Sequence, residues 1–135
     1  MKAIAHATVQ STGVRYRHEI QAGTHALVAD EPVAIGGQDA GPAPYDYILA
    51  GLGACTAITL RMYAEKKAWE LGQLTVRLEL QRDREGETRI ERTLHATGAL
   101  SEDQWDRLLD IASKTPVTRT LQTGTTISTR RADNT

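Results

Sequence analysis

A chain of 135 residues in which 16 Lys plus Arg nearly balance 17 Asp plus Glu is sized for a single domain, residues 1–135. It has no basic block of the kind that marks nucleic-acid or polybasic membrane binding. With no Phe, two Trp and four Tyr, its core has to rest on Leu, Ile, Val and Ala, so burying a further face in a partner subunit would add stability. One cysteine, Cys55, excludes an internal disulfide and falls short of any multi-cysteine zinc pattern, so neither a metal nor a cofactor is expected.

Met1 and Lys2 lead into Ala3 to Gly13 without a long apolar stretch. No secretory signal is therefore expected, and the protein is expected in the cytoplasm. Three short segments then read as an antiparallel meander of strands: Ala3 to Gln10, Tyr16 to Gln21 and His25 to Ala29, separated by Ser11 to Gly13 and by Ala22 and Gly23. A turn-rich stretch from Gly36 to Pro44 follows.

Pro44 suits a first helical position, where its missing N–H costs nothing, and the spacing predicts a helix from there to about Trp69, ending before Gly72. Between Asp46 and Arg61 lie about fourteen uncharged residues where a membrane span needs about twenty, which makes this a core helix and not a membrane segment. From Tyr45 to Leu60 it is apolar nearly all round, a pattern that asks for burial on every side and for neighbours that a dimer would supply. Gly51 and Gly53 each cost about 1 kcal/mol relative to Ala inside a helix, so they mark a close backbone approach or a bend.

Leu74, Val76, Leu78 and Leu80 alternate with polar residues as in a half-buried strand, Asp83 to Glu87 make a turn, and Arg89 to Thr97 form a second strand. Ser101 and Gln104 have the spacing of a capping box, and Trp105, Leu108, Leu109 and Ala112 continue with helical periodicity. Thr115, as N-cap ahead of Pro116, starts a short helix through Leu121. The β-branched run Thr125 to Thr129 reads as a last strand. The order is β-β-β-α-β-β-α-α-β, an α+β fold with a long central helix.

Cys55 is the side chain with obvious redox or nucleophilic chemistry, although a lone cysteine on a buried helix also packs as a small hydrophobe. The residues around it, Gly36, Gly37, Gly41, Pro42, Pro44, Leu49, Leu52, Gly53, Cys55, Thr59, Leu60, Met62, Tyr63, Ala64 and Lys67, resemble the OsmC-like family, which includes the organic hydroperoxide resistance proteins. The resemblance extends from about Asp30 to Leu121. It implies an intertwined α+β homodimer with active sites at the subunit interface. It also implies that Cys55 is the peroxidatic thiol, attacking the peroxide O–O bond and becoming a sulfenic acid.

Family members pair that thiol with a carboxylate nine residues earlier, here Asp46 in place of the commoner Glu, and with an arginine of the N-terminal hairpin, here Arg15 or Arg17. The second family cysteine opens a Cys-Pro-Val-His stretch; here the stretch is Thr115, Pro116, Val117, Thr118. The resolving-cysteine position is thus replaced by Thr115, and a two-cysteine cycle within one chain is excluded.

Peroxide chemistry needs a thiolate, and an unperturbed thiol of pKa about 8.5 is only about 3% ionised at pH 7. Lowering the pKa by roughly two units takes about 2.7 kcal/mol, more than one exposed charge supplies. A helix N-terminus together with a desolvated arginine would suffice. Nine residues of regular helix turn Asp46 and Cys55 to opposite faces, about 13.5 Å apart in rise. Either an arginine bridges them, or the chain bends at Gly51 and Gly53 and starts a new helix beside Cys55.

Three functional readings follow. The first is a thiol peroxidase acting on an organic or hydrogen peroxide and recycled by an external thiol. The second is a non-catalytic binder of a small apolar ligand, or a one-cysteine oxidant sensor. The third, a cysteine hydrolase, is weakest, because His6, His18, His25 and His95 show no local signature linking them to Cys55.

Overall fold

A computed structural model describes residues 1–133. The elements are strands β1 (Ala7–Ser11), β2 (His18–Ala22) and β3 (His25–Ala29), a 3-10 turn at Val33–Ile35, helix α1 (Pro44–Lys67), strands β4 (Leu74–Arg82) and β5 (Thr88–Ala96), and helices α2 (Glu102–Ala112) and α3 (Pro116–Thr123). This is the mixed α+β architecture expected. The chain divides into two compact units, residues 1–50 and 51–135, with α1 running through the division.

In the first unit β1, β2 and β3 form an antiparallel meander in that order. β2 starts later than expected because Thr12 folds the link before it: its Oγ1 accepts from the Val14 N–H and donates to the Arg17 carbonyl oxygen at 2.9 Å; β1 starts later because its partner β2 ends at Ala22, opposite Ala7. After β3 the turn-rich stretch wraps around one buried carboxylate. Asp30 accepts the N–H groups of Glu31 (2.8 Å), Gln38 (3.2 Å) and Ala40 (3.1 Å). The glycines here answer close backbone approach: a Cβ on Gly37 would lie 1.9 Å from the Glu31 carbonyl oxygen, and one on Gly41 would lie 2.4 Å from that of Val28.

α1 starts at Pro44, as expected, and ends two residues earlier than expected. Ala68 takes a left-handed conformation (φ 57°), so the Trp69 N–H bonds to the Ala64 carbonyl and the Ala68 N–H to that of Glu65, a Schellman closure made without glycine. In the second unit β4 and β5 pair antiparallel from Leu74 opposite Ala96 to Arg82 opposite Thr88. Their even-numbered residues from 74 to 80 and from 90 to 96 face inward, while the odd-numbered ones between them are exposed. α2 carries the full capping box of Ser101 and Gln104. The core of this unit is Leu60, Ala64, Leu71, Leu108 and Ala112.

One expectation is corrected. Thr125 to Thr129 form no strand; β-branched residues stabilise a strand through their neighbours in a sheet, and among the described residues neither sheet extends to them. Within the single chain α1 buries one face. Its buried residues, Leu52, Gly53, Thr56, Leu60 and Ala64, form a stripe, while Ile58 and Met62 are 55% and 65% exposed. By length and mean hydropathy α1 would suffice to cross a membrane, but Leu60 and Ala64 belong to the core of this unit.

The Asp30 cradle makes a pH prediction. Burial raises the Asp30 pKa, yet the backbone donors, joined by the charge of Arg17, outweigh it and leave the group below its ordinary 3.8. A carboxylate depressed in the folded state stabilises the fold fully above the unfolded value, and that contribution is lost as pH falls from about 4 through the folded value. The urea midpoint should therefore drop between pH 7 and pH 2.5 in the native protein. Asp30→Asn should lower the midpoint at pH 7 and make its fall with pH shallower. Equal pH slopes would refute the role.

Candidate functional site

Cys55 lies on α1, half-buried and unpaired. Its neighbour Thr56 is fully buried, and the Thr56 hydroxyl donates to the Leu52 carbonyl oxygen at 2.7 Å. That back-bond one turn up the helix turns the remaining lone pairs of Thr56 Oγ1 toward β5.

There they meet Arg92. Arg92 shares the inward phase of β5 with Ile90, Leu94 and Ala96 and stands opposite Leu78 on β4. Its Nη1 donates to Thr56 Oγ1 and to Thr118 Oγ1, both at 2.9 Å, and its Nη2 donates to the Ala112 carbonyl oxygen at 2.8 Å. Thr118 is in turn 2.7 Å from the hydroxyl of the buried Thr115. The guanidinium therefore ties α1, the end of α2 and the start of α3 to β5. Burial pushes the Arg92 pKa below its ordinary 12.5. Arginine remains protonated at neutral pH.

Thr115 is the N-cap residue of α3 with Pro116 after it, as expected, but it makes no side-chain capping bond. Its hydroxyl pairs with Thr118 instead. Position 115, where the resemblance implies a resolving cysteine, thus carries one of two mutually bonded hydroxyls, and the other, that of Thr118, accepts from Arg92. Beside this cluster opens a cleft of about 470 Å³ with Leu52, Ile90 and Leu121 as apolar wall and Arg92 and Thr118 as polar wall.

Asp46, Arg15 and Arg17 lie in the first unit. Asp46 Oδ2 accepts the Ala43 N–H at 3.0 Å, the reciprocal half of a capping box at the start of α1. The Arg15 guanidinium stacks 4.5 Å over the Tyr16 ring, and Arg17 directs its charge at Asp30. α1 is uninterrupted from Pro44 to Lys67, so no new helix N-terminus arises at Gly51 or Gly53. Gly53 instead answers a close approach, since a Cβ there would lie 2.8 Å from Leu78 Cδ1. Of the histidines, His18 Nδ1 is bonded to the Tyr16 carbonyl and His95 occupies the exposed phase of β5. No group of three or more His, Cys, Asp or Glu side chains among the described residues could hold a metal ion.

Arg92 was not among the residues singled out from sequence. The signal was present: it stands in the apolar phase of an alternating strand, between Ile90 and Leu94, where a charge has to find partners.

Solved structures with the same fold include a protein from Psychrobacter arcticus 273-4 (TM-score 0.76, 14% identity, covering 89% of this chain and 90% of that one). An OsmC like protein from Mycoplasma pneumoniae matches with TM-score 0.71 and 20% identity, over 90% of this chain and 89% of its own. An organic hydroperoxide resistance protein OsmC from Legionella pneumophila matches with TM-score 0.65 and 20% identity, over 89% and 90%. At these identities the likeness carries the fold alone. No curated protein matches the sequence. The OsmC-like protein family, however, matches residues 36–130, a span that holds α1, Cys55, Arg92 and the Thr115–Thr118 pair, and the chain belongs to that family.

Proposed function

We propose that this chain is a thiol-dependent peroxidase that reduces an organic hydroperoxide or hydrogen peroxide at Cys55 and is recycled by an external thiol. The observation that carries the reading is a half-buried free thiol, within the span that matches the OsmC-like family. The Legionella pneumophila neighbour is an organic hydroperoxide resistance protein, which supports the choice of substrate class.

The chemistry balances with the residues named. The Cys55 thiolate attacks one peroxide oxygen, an S–O bond forms as the O–O bond breaks, and the departing alkoxide takes a proton to leave as an alcohol. Sulfur is oxidised by two electrons to the sulfenic acid, and the peroxide is reduced by the same two. An external thiol then displaces water to give a mixed disulfide, and a second thiol releases Cys55 and the external disulfide. Arg15 would orient the peroxide, and Asp46, with one oxygen already taken by the Ala43 N–H, would hold Arg15. In this proposal both act at an interface between two copies of the chain. The homodimer is supported by the exposed Ile58 and Met62 on α1 and by the unpaired β-branched segment Thr125 to Thr129.

A second reading, a small-ligand binder or oxidant sensor, is favoured by the cleft beside Arg92 and by threonine at position 115. Turnover separates the two. Intact mass after one equivalent of cumene hydroperoxide should show one added oxygen on the native chain and none on Cys55→Ser, and an added dithiol should sustain many cycles. A single oxidation without turnover would favour the sensor, and no oxidation the binder.

Sedimentation at micromolar concentration should give a dimer. A folded monomer would remove the interface site, and with it the roles of Arg15 and Asp46. Thr115→Cys should form an intrachain disulfide with Cys55 on peroxide treatment, which requires Cα atoms within about 7 Å, whereas the native chain should climb to sulfinic and sulfonic acids. A Thr115→Cys variant that gives only overoxidised Cys55 would refute the family arrangement here.

A further inference from the structure

We propose that the cleft beside Arg92 binds an aliphatic carboxylate, with the head group on the guanidinium and the tail along Leu52, Ile90 and Leu121. The inference rests on the reading of the chain as a small-ligand binder and names the ligand; it requires no reaction at Cys55.

The cleft lies wholly within the second unit, between α1, β5 and α3. Its volume of about 470 Å³ falls in the range of about 300–1,000 Å³ usual for small-molecule sites. Three elements bring apolar side chains to it: Leu52 from α1, Ile90 from β5 and Leu121 from α3. Leu121 is 43% exposed, and a hydrocarbon chain laid along this wall would take such surface out of water.

The charge of the walls selects the head group. Two arginines, Arg89 and Arg92, line the cleft, and no carboxylate does. Arg89 is paired with Glu91 at 3.4 Å, whereas the partners of Arg92 are two hydroxyls and a carbonyl, all uncharged. A guanidinium has five N–H groups. Nη1 donates to Thr56 and Thr118, and Nη2 donates once, to the Ala112 carbonyl. The second Nη2 N–H and the Nε–H take no acceptor among the described residues. No buried side-chain nitrogen among those residues lacks a partner, so Nε reaches solvent, and the opening that Arg92 lines is this cleft.

Three bonds of 2.8–2.9 Å hold the guanidinium in place, so its two unused donors are presented without further ordering. A carboxylate accepts two N–H groups of one arginine and neutralises it. An alcohol would leave the charge uncompensated, and an amine would be repelled by it.

The test is isothermal titration calorimetry of the native chain at pH 7 with octanoate, hexanoate and octanol. Octanoate should bind at one site per chain, hexanoate about tenfold more weakly for its two missing methylenes, and octanol at least tenfold more weakly for its missing charge. Gln122, exposed on the same wall, allows the charge to be changed without touching Arg92. Gln122→Glu should weaken octanoate about threefold and leave octanol unchanged, while Gln122→Lys should not weaken octanoate. Arg92→Lys keeps the charge but loses the planar fork, and should weaken octanoate about tenfold; if it does not fold, the Gln122 pair decides. Equal octanoate affinity in the two Gln122 variants overturns the site. Octanol binding as tightly as octanoate overturns the carboxylate and leaves the ligand-binder reading standing. Binding of none of the three, as when a second copy of the chain fills the cleft, overturns both.

Discussion

A guanidinium on the inner face of a two-stranded sheet is the constraint from which the second unit takes its arrangement. Removing an ion from water costs several kcal/mol, and the loss is recovered only where the protein returns hydrogen bonds of good geometry. Arg92 recovers it from three helices at once, through Thr56, Thr118 and the Ala112 carbonyl. That explains the buried threonines at 56, 115 and 118 in a core otherwise made of Leu and Ala. Thr56 and Thr118 each accept from the guanidinium, which valine, of the same shape, could not do, and Thr115 pairs with Thr118. No buried side-chain polar atom among the described residues lacks a partner, so the network is complete.

The same network fixes what the start of α3 can do. A cysteine at 115 or a histidine at 118 would bring redox or acid–base chemistry there; threonines bring neither. What they retain is the mechanical part. Thr118 accepts from the arginine and remains bonded to Thr115, while Pro116 occupies a first-turn position where no donor is lost. Structure and chemistry at this corner are separable, and this chain keeps the structure.

Periodicity made most of the fold legible. Alternation of Leu74, Val76, Leu78 and Leu80, the Ser101 and Gln104 pair, and Pro44 at a helix start each report a local rule that the tertiary structure leaves intact. The misses have a common physical origin in interactions distant in sequence. Ala68 ends α1 because the chain must turn there, against a propensity that favours continuing. Thr125 to Thr129 have the composition of a strand but no ladder to join. Asp30 reads as an ordinary surface acid until the chain from Glu31 to Ala40 closes over it. Cys55 stands out from its motif, whereas Arg92, 36 positions after Thr56, reaches that threonine only through the packing of β5 on α1.

α1 joins these themes. Its buried residues Leu52, Thr56, Leu60 and Ala64 repeat every four positions, the stripe that one chain needs for one face. The sequence nevertheless keeps apolar residues around most of the circumference, and Ile58 and Met62 stand in solvent. Exposed apolar area of this kind is costly to solubility when left bare. Cys55 sits one residue from the buried stripe, half in and half out, at the boundary between the surface this chain covers and the surface it leaves open. On the inner side of that boundary the adjacent Thr56 is fastened to β5 by Arg92. On the outer side α1 presents Ile58 and Met62, so the two sides of the helix at Cys55 are set by different parts of the sequence.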